Sequence, residues 1–319
     1  MAKHFSFRIM RYIVSLLITL LLVGCGGRQK SNIESQSYEP GTRSMRCSVE
    51  SISSLRTQEE YNAMINHFWD DFDFEVGERI IEYDTIDILN AMGEYVSYIP
   101  PRDADSLMRS LIHRASQSKP VLEFFGMIAE VVLHDPNSPL RNDEYYIPVL
   151  ESMLESSLLD EYERIAPEYD LEIARKNRIG TPANDFVYTL ADGSQHRMHD
   201  IEANYTILMF SNPGCPMCRE IMEEITSSPL LNLLTEHGDL RTLSLYPDED
   251  LEAWREHFKD MPTSWIRAYD KGMKITVERL YNLSAIPSLY LLDSQKRVII
   301  KDGTSVAQIE NTIAYLESL

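Results

Sequence analysis

Two cysteines separated by two residues, Cys215-Pro216-Met217-Cys218, are the part of this chain with the clearest chemistry. The run Tyr205–Phe210 is continuously apolar and closes at Ser211-Asn212-Pro213-Gly214, and a helical pattern begins at Pro216. The pair therefore falls where a buried strand turns into a helix. Cysteines at this spacing on a helix start can close a disulfide across one turn. The unpaired N–H groups and dipole of that helix end favour a thiolate at the first position. Cys215 is the expected nucleophile and Cys218 the buried resolving thiol. The thiolate attacks a substrate disulfide, a mixed disulfide forms, and attack by the second thiol releases it. Pro216 suits the first helical turn, where a missing N–H leaves no hydrogen bond unmade.

Two plainer readings compete: a static disulfide staple, and half of a zinc site. Zinc needs two further ligands at tetrahedral distance. His196 and His199 lie three apart on a predicted strand and point to opposite faces. With His237 and His257 they read as ordinary surface or core residues, and no metal is expected. Glu220, Glu223 and Glu224 follow the motif at helical spacing and read as a solvated face.

The surrounding elements alternate. Phe186–Leu190 is β-like and Asp192-Gly193 marks a turn; Leu240–Leu245 and Trp265–Tyr269 are further strands, with a helix over Leu251–Phe258. A helix near Met273–Tyr281 leads to Ile286-Pro287. Strands Leu289–Leu292 and Val298–Lys301 follow, and Val306–Leu316 closes as an amphipathic helix. This is the pattern of an α/β domain with a mixed sheet.

Pro287, about 70 residues past the cysteines and just before a strand, completes a likeness. Residues 180–319 resemble the thioredoxin-like superfamily, and within it the TlpA/ResA-like, AhpC/TSA-related thiol–disulfide oxidoreductases of exported bacterial proteins. Gly180–Phe186 and Asp192-Gly193-Ser194 look like the added N-terminal hairpin of that family. Tyr205–Phe210 resembles its central strand, Cys215–Cys218 its redox motif, and Ala285-Ile286-Pro287-Ser288 its cis-proline turn. The resemblance implies a substrate-binding edge at Ile286 and Pro287, with Pro216 and Met217 beside it, where a bound chain pairs like an added strand. It implies no cofactor beyond the Cys215–Cys218 disulfide. Three positions depart from the family. Gly214 stands where thioredoxins usually carry Trp, and Met209 where they often bury an acid. Asn212 stands where peroxiredoxin-like peroxidases carry Thr or Ser, which argues against peroxidase activity.

The N-terminal half is different in kind. Residues 1–24 hold Lys3, Arg8 and Arg11, no acid, and an apolar run of 12 residues, Tyr12–Val23. That is short of the roughly 20 a spanning helix needs and reads as a secretory signal. Leu22-Val23-Gly24-Cys25 resembles a bacterial lipobox, which makes Cys25 the lipid-modified mature N-terminus. Residues 25–57 are polar and read as a flexible tether, with Cys47 a free thiol in it. Residues 58–175 read as an all-α domain: stripes at Leu107–Ile112, Val121–Val132 and Tyr145–Leu154, with less marked helices over Tyr61–Phe72 and Ile86–Val96. Asp103 is placed to cap one helix, and Pro148 to sit in the first turn of another. The stripes exceed what five short helices need, which points to a partner held near Cys215.

Thirty basic and fifty acidic residues give a net charge of −20, and loss of the leader removes three of the bases. Such a surface repels nucleic acid phosphates and anionic lipid, so nucleic-acid binding is excluded. The expected architecture is a signal peptide (1–24), a tether (25–57), a helical domain (58–175) and a thioredoxin-like α/β domain (176–319). The expected protein is lipid-anchored to a cell-envelope membrane and faces the periplasm. It acts on envelope protein thiols and disulfides as a reductase and is fed by an upstream membrane electron donor. The alternatives are a disulfide oxidase or isomerase, or a partner-binding lipoprotein whose helical domain is the working part.

Overall fold

The computed structural model describes residues 41, 43, 57–303 and 305–318. The leader, Cys25, Cys47 and nearly all of the tether lie outside the described residues. Among the described residues no helix is long and apolar enough to cross a membrane.

The first half is helical, as its apolar periods predict. Helix α1 (Gln58–His67) opens on a capping box in which Thr57 and Glu60 satisfy each other's backbone N–H groups. Helix α2 (Thr85–Tyr98) starts at Asp84, whose carboxylate accepts from the N–H groups of Ile86 and Asp87. Helices α3 (Ala104–Ala115), α4 (Lys119–Leu133), α5 (Asp143–Glu155) and α6 (Ile165–Ala174) follow. Rings of Trp69, Phe72, Phe74 and Phe125 pack edge-on or stacked at the centre of this half.

Three expectations change here. Asp103 occupies the start of α3 but makes no side-chain cap, because it belongs to a 3-10 turn, Pro101–Asp103, with helical dihedrals. Helix α5 begins at Asp143, capped by Asn142, so Pro148 lies inside the helix and not in its first turn. The apolar stripes are buried mostly against one another, from Ile65 on α1 to Leu171 and Ala174 on α6. Their surplus is spent on this core, which removes the reason for a partner on that face.

The second half is a mixed sheet of seven strands in the order β2-β1-β5-β4-β3-β6-β7. The strands are β1 (Val187–Leu190), β2 (Gln195–Arg197), β3 (Tyr205–Phe210), β4 (Leu240–Tyr246), β5 (Ile266–Tyr269), β6 (Ser288–Leu292) and β7 (Val298–Gly303). Strand β3 lies between parallel β4 and antiparallel β6, and β1 and β2 form the expected hairpin. Helix α7 (Pro216–Ser227) follows β3, and α8 (Pro229–His237) restarts after a break at Ser228 that the sequence pattern had run together. Helices α9 (Leu251–His257), α10 (Lys274–Val277) and α11 (Val306–Glu317) complete the domain; α10 is a single turn where a longer helix was expected.

Period-two alternation along β3 divides the core. Ile207 and Met209 face the α7, α8 and α11 side, whereas Leu208 and Phe210 face Tyr281 and Tyr290. Strand β7 is the outer strand, and the segment between the two halves pairs with its beginning. Gly180 and Ala183 donate to the carbonyls of Val298 and Lys296, and Val298 donates to that of Thr181.

Candidate active site

Strand β3 delivers the chain to the motif through Gly214, whose φ of +71° reverses direction before the helix. Cys215 is the N-cap of α7, in extended conformation, and Pro216 takes the first helical position. The Cys215 Sγ accepts the backbone N–H of Cys218 at 3.3 Å. That bond satisfies one of the backbone donors left unpaired at a helix start. The Cys215 N–H is held by the carbonyl of Asn212 at 3.3 Å.

The two sulfurs differ in surroundings. Both are free thiols, Cys215 partly exposed and Cys218 buried. Cys218 packs with Met209, Ile221, Trp265 and Leu289. Burial, and then its hydrogen bond with Cys215, push the Cys218 thiol up to about 12, against backbone N–H groups that pull the other way. No carboxylate figures among those influences. Met209 indeed stands in the cluster where an acid could have been. On the face of β3 and β4 that carries Met209, the polar pair is Ser211 Oγ and Ser244 Oγ, 3.0 Å apart and buried.

The Ile286–Pro287 bond is cis. Ser288, the next residue, pairs antiparallel with Phe210 at the end of β3, so this turn lies beside the exit toward the cysteines. Ile286 packs on the cluster that holds Cys215 and Cys218. Met217 presents an apolar side chain that is 55% exposed, and Pro216 is exposed next to it. The structure thus brings together residues 71 positions apart that the sequence could join only through the family resemblance.

The histidines divide. His196 lies on β2 and stacks on Tyr188. His199 is not on a strand: it sits in a 3-10 turn, Met198–Asp200, and its Nε2 meets the Ala183 carbonyl at 2.8 Å. His257 is nearer the motif than expected, its Nε2 3.8 Å from where a Cβ on Gly214 would stand. Glu220, Glu223 and Glu224 are exposed along α7, as read. Among the described residues, no group of three or more His, Cys, Asp or Glu could hold a metal ion.

Sequence reasoning missed a charged cluster behind the Ile286–Pro287 turn. Arg141 and Asp143 of the helical half meet Asp302 and Lys301 of β7. Pairs more than 150 residues apart leave no spacing signal. The one local hint is a Lys-Asp doublet at the end of an apolar strand.

Residues 203–298 match a family described as thioredoxin-like, and residues 25–177 match a domain of unknown function, DUF5106. A thioredoxin-like protein from Bacteroides caccae, solved by crystallography, is 36% identical; the match covers 86% of this chain and 99% of that one, with a TM-score of 0.79. The C-terminal domain of an uncharacterized protein from Bacteroides fragilis is 42% identical over 43% of this chain and 98% of its own, with a TM-score of 0.42. Human nucleoredoxin is 26% identical over 113 residues, 35% of this chain. The chain spans about a quarter of the length of the curated nucleoredoxins it matches, 26% in the human case.

Proposed function

The chain belongs to the thioredoxin-like family, and on that premise we propose that it is a thiol–disulfide oxidoreductase working through Cys215 and Cys218 on envelope proteins, in the reducing direction. One observation carries the reading: a reachable Cys215 sulfur capped by a helix N–H, directly beside a buried thiol three residues on. In the reducing direction the Cys215 thiolate attacks a substrate disulfide, and one substrate sulfur leaves as a thiolate and takes up a proton. Cys218 then loses its proton and attacks the Cys215 sulfur. The Cys215–Cys218 disulfide forms, and the second substrate sulfur departs reduced. A donor dithiol must then return two electrons and two protons to the pair.

A substrate strand docks against the backbone beside Ile286 and Pro287, with Pro216 and Met217 forming the apolar lip. A lipid on Cys25 holds the domain at a membrane. What supports that anchor is the sequence Leu22-Val23-Gly24-Cys25 behind a basic, apolar leader. Metabolic labelling with a palmitate analogue, in wild type and Cys25→Ser, tests that anchor.

The reduction potential of the Cys215–Cys218 pair, equilibrated against glutathione and dithiothreitol, tests the direction. A value at or below about −250 mV, near that of thioredoxin, supports a reductant; a value near about −120 mV, in the range of DsbA, overturns it in favour of an oxidant.

A further inference from the structure

The helical half does more than precede the redox domain: it is bolted to the strand behind the substrate edge. Around the start of α5, Arg141 and Asp143 project onto consecutive residues of β7 with opposite charge. Arg141 Nη2 donates to Asp302 Oδ2 at 2.9 Å, and Lys301 Nζ lies 2.6 Å from Asp143 Oδ2. These four side chains are 4–11% exposed. Every donor on the Lys301 ammonium has a partner, since it also reaches the carbonyls of Ala174 at 2.9 Å and Lys176 at 2.6 Å.

Asp302 passes the contact on. Its second oxygen, Oδ1, accepts from the Ser288 hydroxyl at 3.1 Å and from the Tyr290 hydroxyl at 2.6 Å. Ser288 opens β6 and directly follows Pro287. A continuous set of buried polar contacts therefore runs from Arg141 through Asp302 to Ser288. Buried ion pairs hold such a geometry because either partner left alone carries an uncompensated charge. Asp302 also keeps a φ of +48°, a conformation an L residue holds only when its surroundings over-determine it.

We propose that Arg141 is a positioning residue for the substrate-docking edge, through Asp302 and Ser288, so that the helical half forms part of the site for extended peptide disulfides. This rests on the oxidoreductase reading above. A small disulfide needs only the cysteines, whereas a peptide that adds a strand beside Ile286 needs that edge in register. Loss of Arg141 is thus expected to raise KM for peptides and to spare small disulfides.

The test uses the full chain, with dithiothreitol as reductant for insulin, the peptide disulfide, and with the pre-reduced protein freed of dithiothreitol for single-turnover reaction with dithiobis(nitrobenzoate), the small disulfide. The double variant Arg141→Met/Asp302→Asn removes both charges together, so neither is left buried alone, and the Asn oxygen still accepts from Ser288 and Tyr290. Its KM for insulin is expected to rise about tenfold, with the single-turnover rate on the small disulfide and the reduction potential unchanged. Arg141→Lys, which keeps the charge, is expected to stay within about threefold of wild type. An unchanged KM in the double variant overturns the proposal, as does an equal loss on both substrates. Wild-type protein that reduces neither disulfide overturns the oxidoreductase reading instead.

Discussion

The backbone N–H of Cys218 points at the sulfur of Cys215 from 3.3 Å, so the first turn of α7 ties the two cysteines together through one hydrogen bond. The helix start that makes this bond also buries the Cys218 side chain, and the two thiols are divided into an accessible one and a protected one.

Selective alkylation follows from that division. At pH 7 iodoacetamide should modify Cys215 and leave Cys218 intact, because a thiol pushed up to about 12 is almost wholly protonated there. Peptide mass mapping of the briefly treated, reduced protein checks it; equal labelling of both sites would contradict the burial argument. Cys218→Ser should trap the mixed disulfide with substrate, whereas Cys215→Ser should trap none.

The same shift sets a pH dependence of stability. The folded value for Cys218 lies above its ordinary 9.0, so above pH 9 the native state retains a proton that the unfolded chain has released. The contribution is fully present below pH 9 and is lost as pH rises from 9 toward about 12. Urea midpoints of wild type and Cys218→Ala, compared across that range, should converge as the pH rises.

Lys296 is an ammonium buried against Thr206, with Nζ donating to Oγ1 at 3.0 Å, and burial lowers its pKa. Near neutral pH this charge is therefore held at a cost, which is relieved as pH rises toward the ordinary lysine value. Lys296→Met is expected to stabilise the fold by about 1–2 kcal/mol at pH 7, with a smaller gain at pH 10. Thermal melts at the two values check both the sign and the trend.

Lys301→Met should act in the opposite sense. It leaves Asp143 and the carbonyls of Ala174 and Lys176 without their cation, which is expected to destabilise the protein by about 3–5 kcal/mol in urea denaturation.

Gly214 carries φ +71° and faces His257 with space for a methyl group, since the nearest atom to its would-be Cβ is 3.8 Å away. Gly214→Ala is therefore strained by backbone alone, by about 1–2 kcal/mol. Equilibrium denaturation measures this directly.

Much of the α/β half was legible in advance. Tyr205–Phe210 is both a continuous apolar run and the observed strand β3, and the Asp192-Gly193 hairpin lies where its turn residues put it. Boundaries failed where local signals are short-range. Ser228-Pro229 ends one helix and starts another, α10 is only one turn, and Asp103 spends its backbone on a 3-10 turn and caps nothing.

Sequence alone determined which residues are the candidates for chemistry. The CxxC at a strand-to-helix junction, the proline before β6 and the apolar periods are all local patterns, set by side-chain type and the geometry of one element. The tertiary structure decided what those patterns meet. It placed Ile286 on the Cys215–Cys218 cluster, left Cys218 without a carboxylate among its leading influences, and joined Arg141 to Asp302 across 161 residues. Such pairings depend on how separately formed elements pack, and a buried charge needs its partner in space, whatever its distance along the chain.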